Sequence, residues 1–491
     1  VVVFCSFPIL TMQINPRVLS AQYAVRGVIP TRAYEIEEEI KSGSNKYPFD
    51  KLVFCNIGNP QSLRQQPLTY PRQVMSLVDS PSLLRNIHEK VLPDVAARAQ
   101  EYLDHGWHGG YTHSLGSAQV RNSVCQFISQ RDGVSGIKNT NIFLTDGAST
   151  GAKLILQTII GSENDAVMIP IPQYPLYSAC LTLLGGTPIN YYLNEAKGWS
   201  LDVDNMKATY ADAVQSGKVP KAIVVINPGN PTGQVLDAAI VQELVRFAHK
   251  NKLLIIADEV YQENIYCKDQ GKVFVSVHKT AKDLGEPYAS ETMIASLHST
   301  SKGILGECGR RGGYLHLANI PDVLYAQLLK LASINLCGNV NGQLLTDLMV
   351  KPPKETDASY PSYRSEYEAI YQSLCRRASN LVKGLNAIPG IHSQPIEGAM
   401  YAFPTLELPA KFIEYNAELN SRPGATEMQP DARWCLELLE STGIVVVPGS
   451  GFGQVPGTYH FRITILPPEE ELDGVIERVS TFQRALLEKY A

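Results

Sequence analysis

No stretch of the 491 residues stays apolar for long: clean runs such as Leu253–Ala257 reach about five residues, whereas a helix that crosses a bilayer needs about 20. No membrane association is expected. An excess of one charge is missing too. Lys and Arg number 43 against 48 Asp and Glu, net −5, with no block of like charge, so there is no electrostatic footprint for nucleic acid or anionic lipid. Low-complexity tracts and internal repeats are absent, which argues against solenoids, collagen-like arrays and disordered chains. The nine cysteines (5, 55, 125, 180, 267, 308, 337, 375, 435) are scattered, odd in number and lack a C-x-x-C pair. They make neither a disulfide framework nor a zinc ribbon, and reduced thiols are expected. His105, His108 and His113 have no carboxylate or thiolate at ligand spacing, so no metal site is expected.

The N-terminal Val1-Val2-Val3-Phe4 lacks a basic flank, and its apolar decapeptide is interrupted by Ser6 and Pro8, a poor signal peptide. Met12 is one candidate start, and a cleaved organelle-targeting segment is the other reading. The expected compartment is the cytoplasm if Met12 is the start, or otherwise the mitochondrial matrix.

What is present is an ordinary globular composition, 44% apolar and 19% charged, in a chain long enough for two or three lobes. Residues 1–90 read as an N-terminal arm and connector, with an amphipathic turn or two at Tyr34–Ile40 and a turn at Asn56–Pro60. From 91 to 355, short apolar runs recur between helical patterns: Asn141–Leu144, Ala166–Ile169, Ile223–Ile226, Leu253–Ala257 and Thr292–Leu297. Strands of this kind, alternating with helices, predict an α/β domain with a mostly parallel sheet covered on both faces. After the break at Pro352-Pro353, helical spacing over Tyr363–Leu385 and strands at Ala399–Phe403, Ile444–Val447 and His460–Ile465 predict a smaller α+β domain, 356–491.

Ligands of open α/β sheets bind at the carboxyl ends of the strands, and the informative residues follow those ends. Thr145–Gly151 opens the helical pattern Ala152–Ile160, so its N–H groups suit a phosphate, although a plain helix start capped by Ser149 or Thr150 fits as well. Asp258 closes the run Leu253–Ala257 and suits a buried cationic ring nitrogen. Asn227–Gly233 is a rigid, twice-proline turn that leaves Asn230 unexplained. Leu297–Tyr314 sets Lys302 among Ser299, Thr300 and Ser301, with Arg311 nine positions on, a pattern that fits a lysine imine beside a phosphate site but does not by itself decide for one. Gly449–Gly453 is out of register for a dinucleotide fingerprint.

Together these pieces resemble the fold type I pyridoxal-phosphate enzymes, class I/II aminotransferases, over about residues 20–485. The alanine branch is nearest in Tyr23–Gly27, Asn56–Gln61, Pro170–Tyr177, His298–Gly303, Gly306–Gly309 and Val447–Gln454. The resemblance implies a large cofactor-binding domain over 91–355, pyridoxal 5′-phosphate as cofactor, and a homodimer acting on amino acids and 2-oxo acids. The expected reaction is alanine with 2-oxoglutarate; a glutamate:glyoxylate aminotransferase and a lyase of the 1-aminocyclopropane-1-carboxylate synthase kind are the rivals. By the same resemblance Lys302 bonds the cofactor and moves the substrate proton, Asp258 keeps the ring nitrogen protonated, and Tyr261 and Asn230 hold the 3′-oxygen. Tyr174 stacks on the ring. Ala148, Ser149, Ser299, Ser301 and Arg311 hold the phosphate, with Arg310 the weaker candidate, and Tyr111 reaches it from the neighbouring subunit. Arg462, with Gly58 and Asn230, binds the substrate carboxylate. The sequence departs from the family pattern at Leu115-Gly116 and Gly338-Asn339, expected near the substrate side.

Overall fold

The computed structural model describes residues 14–23, 27–85, 91–107 and 109–491. Met12, His108 and the middle of the Tyr23–Gly27 motif lie outside the described residues.

An eight-stranded sheet organises the middle of the chain. Its strands in chain order are β1 Ile142–Leu144, β2 Asp165–Ile171, β3 Thr187–Asn194, β4 Ser200–Leu201, β5 Val219–Ile226, β6 Leu254–Asp258, β7 Ile294–Ser299 and β8 Gly313–Ala318. The spatial order is β1-β8-β7-β6-β5-β2-β3-β4. The five neighbours β7, β6, β5, β2 and β3 are parallel, while β8 and the short edge strand β4 run antiparallel to their neighbours. Successive side chains on a strand face opposite ways, so each central strand splits its apolar run between two cores. Met168, Ile223, Val225, Ile255 and Ala257 meet Leu244, Val245 and Ala248 of the helix Ala238–Lys250. Val167, Ile169, Val224, Ile256 and Leu297 meet Leu154, Ile155, Leu156 and Leu181 of the helices Ala148–Ile159 and Leu176–Leu184. This is an α/β fold with a mostly parallel sheet covered on both faces.

A separate core gathers the C-terminal stretch. The 27-residue helix Tyr360–Asn386 packs on Glu469–Lys489, and Leu374, Leu381, Trp434, Leu438, Phe461, Ile463 and Val479 fill the space between. The N-terminal stretch contributes to two cores. Ile29, Ala33, Ile36, Val53 and Cys55 join the C-terminal core, whereas Tyr70, Val74 and Leu77 pack with Val95, Ala99, Tyr102, Leu144 and Leu344.

Several elements differ from the sequence expectation. The helix expected from Ala152 begins at Ala148 because Gly147, at φ 80°, turns the chain directly into it; only glycine takes that turn without strain. Ile444–Val447 is two short strands, Ile444–Val445 parallel to Val53–Phe54 and Val447–Pro448 antiparallel to Phe461-Arg462, since the chain changes partner at Val446. The amphipathic turn at Tyr34–Ile40 belongs to a 14-residue helix, Val28–Lys41.

Candidate active site

Five strands deliver their carboxyl-end loops to one cavity of about 450 Å³. After β1, Gly147 opens a helix whose first-turn N–H groups at Ala148 and Ser149 have no carbonyl behind them. After β7 come Ser299, Ser301 and Lys302, and the loop returns through Arg311, itself at φ 53°. Arg311 ties the two loops together. Its Nη2 donates to Asp146 O at 2.8 Å and Ser149 Oγ at 3.4 Å, and its Nη1 donates to Cys308 O at 2.9 Å and Ser301 Oγ at 3.3 Å. A side-chain carbon on Gly147 would run into this guanidinium. Helix N–H groups, serine hydroxyls and an arginine around one space form an anion cradle. Arg310 instead turns to Glu307, 3.5 Å away, which also takes Arg72 Nε at 2.6 Å.

β6 ends on Asp258, buried at the cavity floor. Burial pushes its carboxyl above the usual carboxylate range, opposed by a hydrogen bond from Tyr177, the Val260 N–H and the charge of Lys302. Tyr177 donates to Oδ2 at 2.8 Å, while Oδ1 is buried with no partner. A buried unpaired carboxylate oxygen is costly, and a protonated ring nitrogen would satisfy it. Tyr174, pushed well above the usual phenol range by burial and by Tyr23, lines the cavity and shares a 2.6 Å hydroxyl contact with Tyr23.

Lys302 Nζ donates to Gly58 O at 2.6 Å and stands 5.7 Å from the centre of the Tyr261 ring. Tyr261 donates to Tyr401 at 3.2 Å. Burial raises both phenols; for Tyr401 the charges of Lys302 and Arg462 and the bond from Tyr261 outweigh it and bring it below the ordinary value, whereas Tyr261 stays well above. A side-chain carbon on Gly58 would overlap the Tyr401 hydroxyl and stand 3.1 Å from Lys302 Nζ, so glycine is required there by space. Cys308 Sγ, 3.0 Å from Ser301 O, lines the same wall.

Arg462, on the strand Phe461–Thr464, is 1% exposed. Its guanidinium is clasped between the rings of Tyr401 and Phe452, centroids at 4.2 and 4.7 Å. Nη1 donates to Asn230 Oδ1 at 3.0 Å, Nη2 donates to Asn56 O, and Nε has no partner. No carboxylate pairs with it among the described residues, an arrangement that calls for one from outside.

Of the sequence-derived residues, Gly58, Ala148, Ser149, Tyr174, Asn230, Asp258, Tyr261, Ser299, Ser301, Lys302, Arg311 and Arg462 all line this cavity. Tyr111 does not; it is 80% exposed on the same chain. Leu115 and Gly338 do not line it either: Gly338 borders a separate cavity beside Asp146 and Thr150. Sequence reasoning missed Tyr177, Tyr401 and Cys308, although the first and last lie within motifs it quoted.

A model of the aminotransferase class I and II family matches residues 80–479. The chain belongs to the class I and II aminotransferases. Among its relatives, "Probable alanine aminotransferase, mitochondrial" of Dictyostelium discoideum is 48% identical over 96% of this chain and 88% of its own. "Glutamate--glyoxylate aminotransferase 2" of Arabidopsis thaliana is 43% identical over 97% of this chain and 96% of its own. In fold, the chain is similar to alanine aminotransferase from Pyrococcus furiosus, TM-score 0.74 at 24% identity, covering 96% of this chain and all of that one. This aminotransferase is pyridoxal-phosphate-dependent, as its family is, and the residues of the cavity fit the cofactor: an anion cradle at one end, an orphaned carboxylate oxygen at the floor and a free lysine amine between them.

Proposed function

We propose that this aminotransferase exchanges the amino group between L-alanine and 2-oxoglutarate, yielding pyruvate and L-glutamate in two half-reactions. The observation that carries the class of substrate is Arg462: a buried guanidinium with no acid among the described residues, bonded to Asn56 O two residues before Lys302's partner Gly58, suits an α-carboxylate. The choice of alanine is supported by the printed name of the relative at 48% identity. The relative at 43% keeps glutamate with glyoxylate as the second reading.

In this reading Ala148, Ser149, Ser299, Ser301 and Arg311 hold the cofactor phosphate, Tyr174 covers the ring face, and Tyr261 and Asn230 hold the 3′-oxygen. When bound, pyridoxal phosphate supplies an electron sink for the pair left at the substrate Cα once its proton has gone. Arg462 and Gly58 fix the substrate carboxylate so that the Cα proton faces Lys302. Lys302 Nζ would take that proton as base and give it back as acid within one half-reaction. Asp258 Oδ1 would accept a hydrogen bond from the protonated ring nitrogen and so keep its proton there, which would sustain the sink.

The chain is further proposed to act as a homodimer, with the partner's Tyr111 completing the phosphate cradle, as its exposure on a single chain supports. Boundaries are proposed near residues 90 and 355, separating an arm and connector, a cofactor domain and a small domain; the separate C-terminal core supports the second, while the connector packs into the cores on both sides. A compartment in the cytoplasm or the mitochondrial matrix is supported by eight free cysteines among the described residues. No helix among the described residues is long and apolar enough to cross a membrane.

The test is the absorbance of the holoenzyme before and after L-alanine, L-glutamate, glycine and L-aspartate, each without keto acid. Conversion of the cofactor band by alanine and glutamate, reversed by pyruvate or 2-oxoglutarate, is expected. Reversal by glyoxylate but not pyruvate would establish the second reading. A band that no amino acid converts would refute both in favour of a lyase. Mixing Tyr111→Ala with Lys302→Ala chains is expected to restore about a quarter of wild-type activity through hybrid dimers; no restoration would refute the shared site.

A further inference from the structure

Tyr177 is wholly buried in the core on one face of the sheet, among Leu156, Leu181, Val224 and Leu297. Its hydroxyl crosses that apolar layer to a single polar partner, Asp258 Oδ2, at 2.8 Å. A buried phenol needs such a partner. The carboxylate gains more from the contact, because its other oxygen, Oδ1, is buried and unpaired in a residue that lines the cavity. Asp258 is thus held by one oxygen and left open at the other. The segment carrying Tyr177 is itself pinned: Gln173 N donates to Phe452 O at 2.8 Å, and Gln173 Nε2 donates to Ser178 Oγ at 2.8 Å. One short stretch therefore presents Tyr174 to the cavity and Tyr177 to the floor carboxylate.

We propose that Tyr177 is a positioning residue that sets both the orientation and the basicity of Asp258. The inference rests on the reading of Asp258 as the partner of the cofactor's ring nitrogen. With Oδ2 tied to the phenol, rotation about the Cβ–Cγ bond is blocked and Oδ1 stays aimed at the ring. A hydroxyl donating to a carboxylate stabilises its charged form and makes it a weaker base. The proton shared between Asp258 and the ring nitrogen therefore resides on nitrogen. Loss of one charge-assisted hydrogen bond makes the carboxylate roughly tenfold more basic or stronger still, drawing the proton to Asp258 and removing the positive charge from the ring.

The experiment uses holoenzyme reconstituted with cofactor carrying ¹⁵N in the ring, in wild type, Tyr177→Phe and Asp258→Asn, read by the nitrogen chemical shift over the neutral to alkaline range. Wild type is expected to be protonated, Asp258→Asn neutral, and Tyr177→Phe shifted measurably towards neutral. In Tyr177→Phe, kcat falls about tenfold while KM for the amino donor stays within twofold. A Tyr177→Phe ring as protonated as wild type overturns the proposal, whatever happens to melting temperature or turnover, because a packing defect alone leaves the nitrogen unchanged. A neutral ring in wild type, or a protonated one in Asp258→Asn, overturns the Asp258 reading instead. Should Tyr177→Phe fail to retain cofactor, 3-fluorotyrosine at 177 keeps nearly the same shape with a stronger donor. Its stronger bond draws charge from Asp258 and weakens the ion pair, so the nitrogen, still protonated at neutral pH, is expected to lose its proton at lower pH than in wild type, and an unchanged titration refutes the role.

Discussion

Replacing Arg462 with methionine separates what this residue does for the substrate from what it does for the fold. Its guanidinium is 1% exposed, lies between two aromatic faces and has an unpaired Nε. Removing one partner of a buried, hydrogen-bonded charge pair costs about 2–5 kcal/mol. Taking the middle of that range, about 3–4 kcal/mol, kcat/KM for the amino donor should fall by roughly 150- to 900-fold. The unliganded fold should lose little. The Arg462→Met change would leave Asn230 Oδ1 and Asn56 O short of a donor, at about 1–3 kcal/mol each, while relieving the several-kcal/mol cost of a buried cation with no acid beside it. Pyruvate formation followed with a coupled dehydrogenase gives kcat/KM, and urea unfolding gives stability, expected within about 2 kcal/mol of wild type. A fall in kcat/KM of less than fivefold would mean that the carboxylate docks elsewhere. A fall explained entirely by lost stability would make Arg462 a structural residue.

Lys302→Ala should abolish both the cofactor's covalent absorbance band and turnover; retained turnover would remove the lysine from the chemistry. Gly58→Ala introduces a carbon against the Tyr401 hydroxyl, so kcat/KM should drop at least tenfold with the circular dichroism unchanged, and adding Tyr401→Phe should recover part of it. Failure of the double variant to recover would mean that the clash is not the cause. Glu259 is buried, accepts from Val277 N at 2.9 Å through Oε1, and is pushed up to about 7 by burial against the pull of Arg131. The folded chain therefore keeps this proton between pH 4.5 and 7 where the unfolded chain has released it, so stability falls as pH rises through that window, by on the order of 3 kcal/mol. Glu259→Gln should lack this decline, gaining on wild type between pH 5 and 8 in urea unfolding; a constant difference would contradict it.

The strands β5, β6 and β7 were legible because strands buried on both faces read as continuous apolar runs, and the residues after them line the cavity. β8 was not, for its glycine start and central His316 break the apolar run that burial would otherwise write. The cofactor end of the site was readable because each loop brings its own residues in sequence order. Asp258's partner was not: Tyr177 lies 81 positions away on a helix, and nothing local marks its hydroxyl as aimed at a strand end. Tyr401 is similar, since its expected strand was visible but its contact with Tyr261, 140 positions away, arises only where the two segments meet in one core. Asn56 meets Arg462 through a backbone carbonyl, which carries no residue-type signal at all.

The segment Asn56–Asn59 is fastened on both of its flanks. On one side Cys55 N donates to Val445 O at 2.9 Å and Cys55 O accepts from Thr464 N at 3.0 Å, binding it to the C-terminal core. On the other, Gln65 Nε2 reaches Ile304 O at 2.9 Å and Arg72 grips Glu307, binding it to the loop between β7 and β8. In between, the carbonyls of Asn56 and Gly58 hold Arg462 and Lys302. A chain this short has only about 3.3–3.6 Å of reach per residue and so little slack. The carbonyls that hold Arg462 and Lys302 stand two residues apart on this one strap, so it sets the spacing of the two cations as well as walling the cavity.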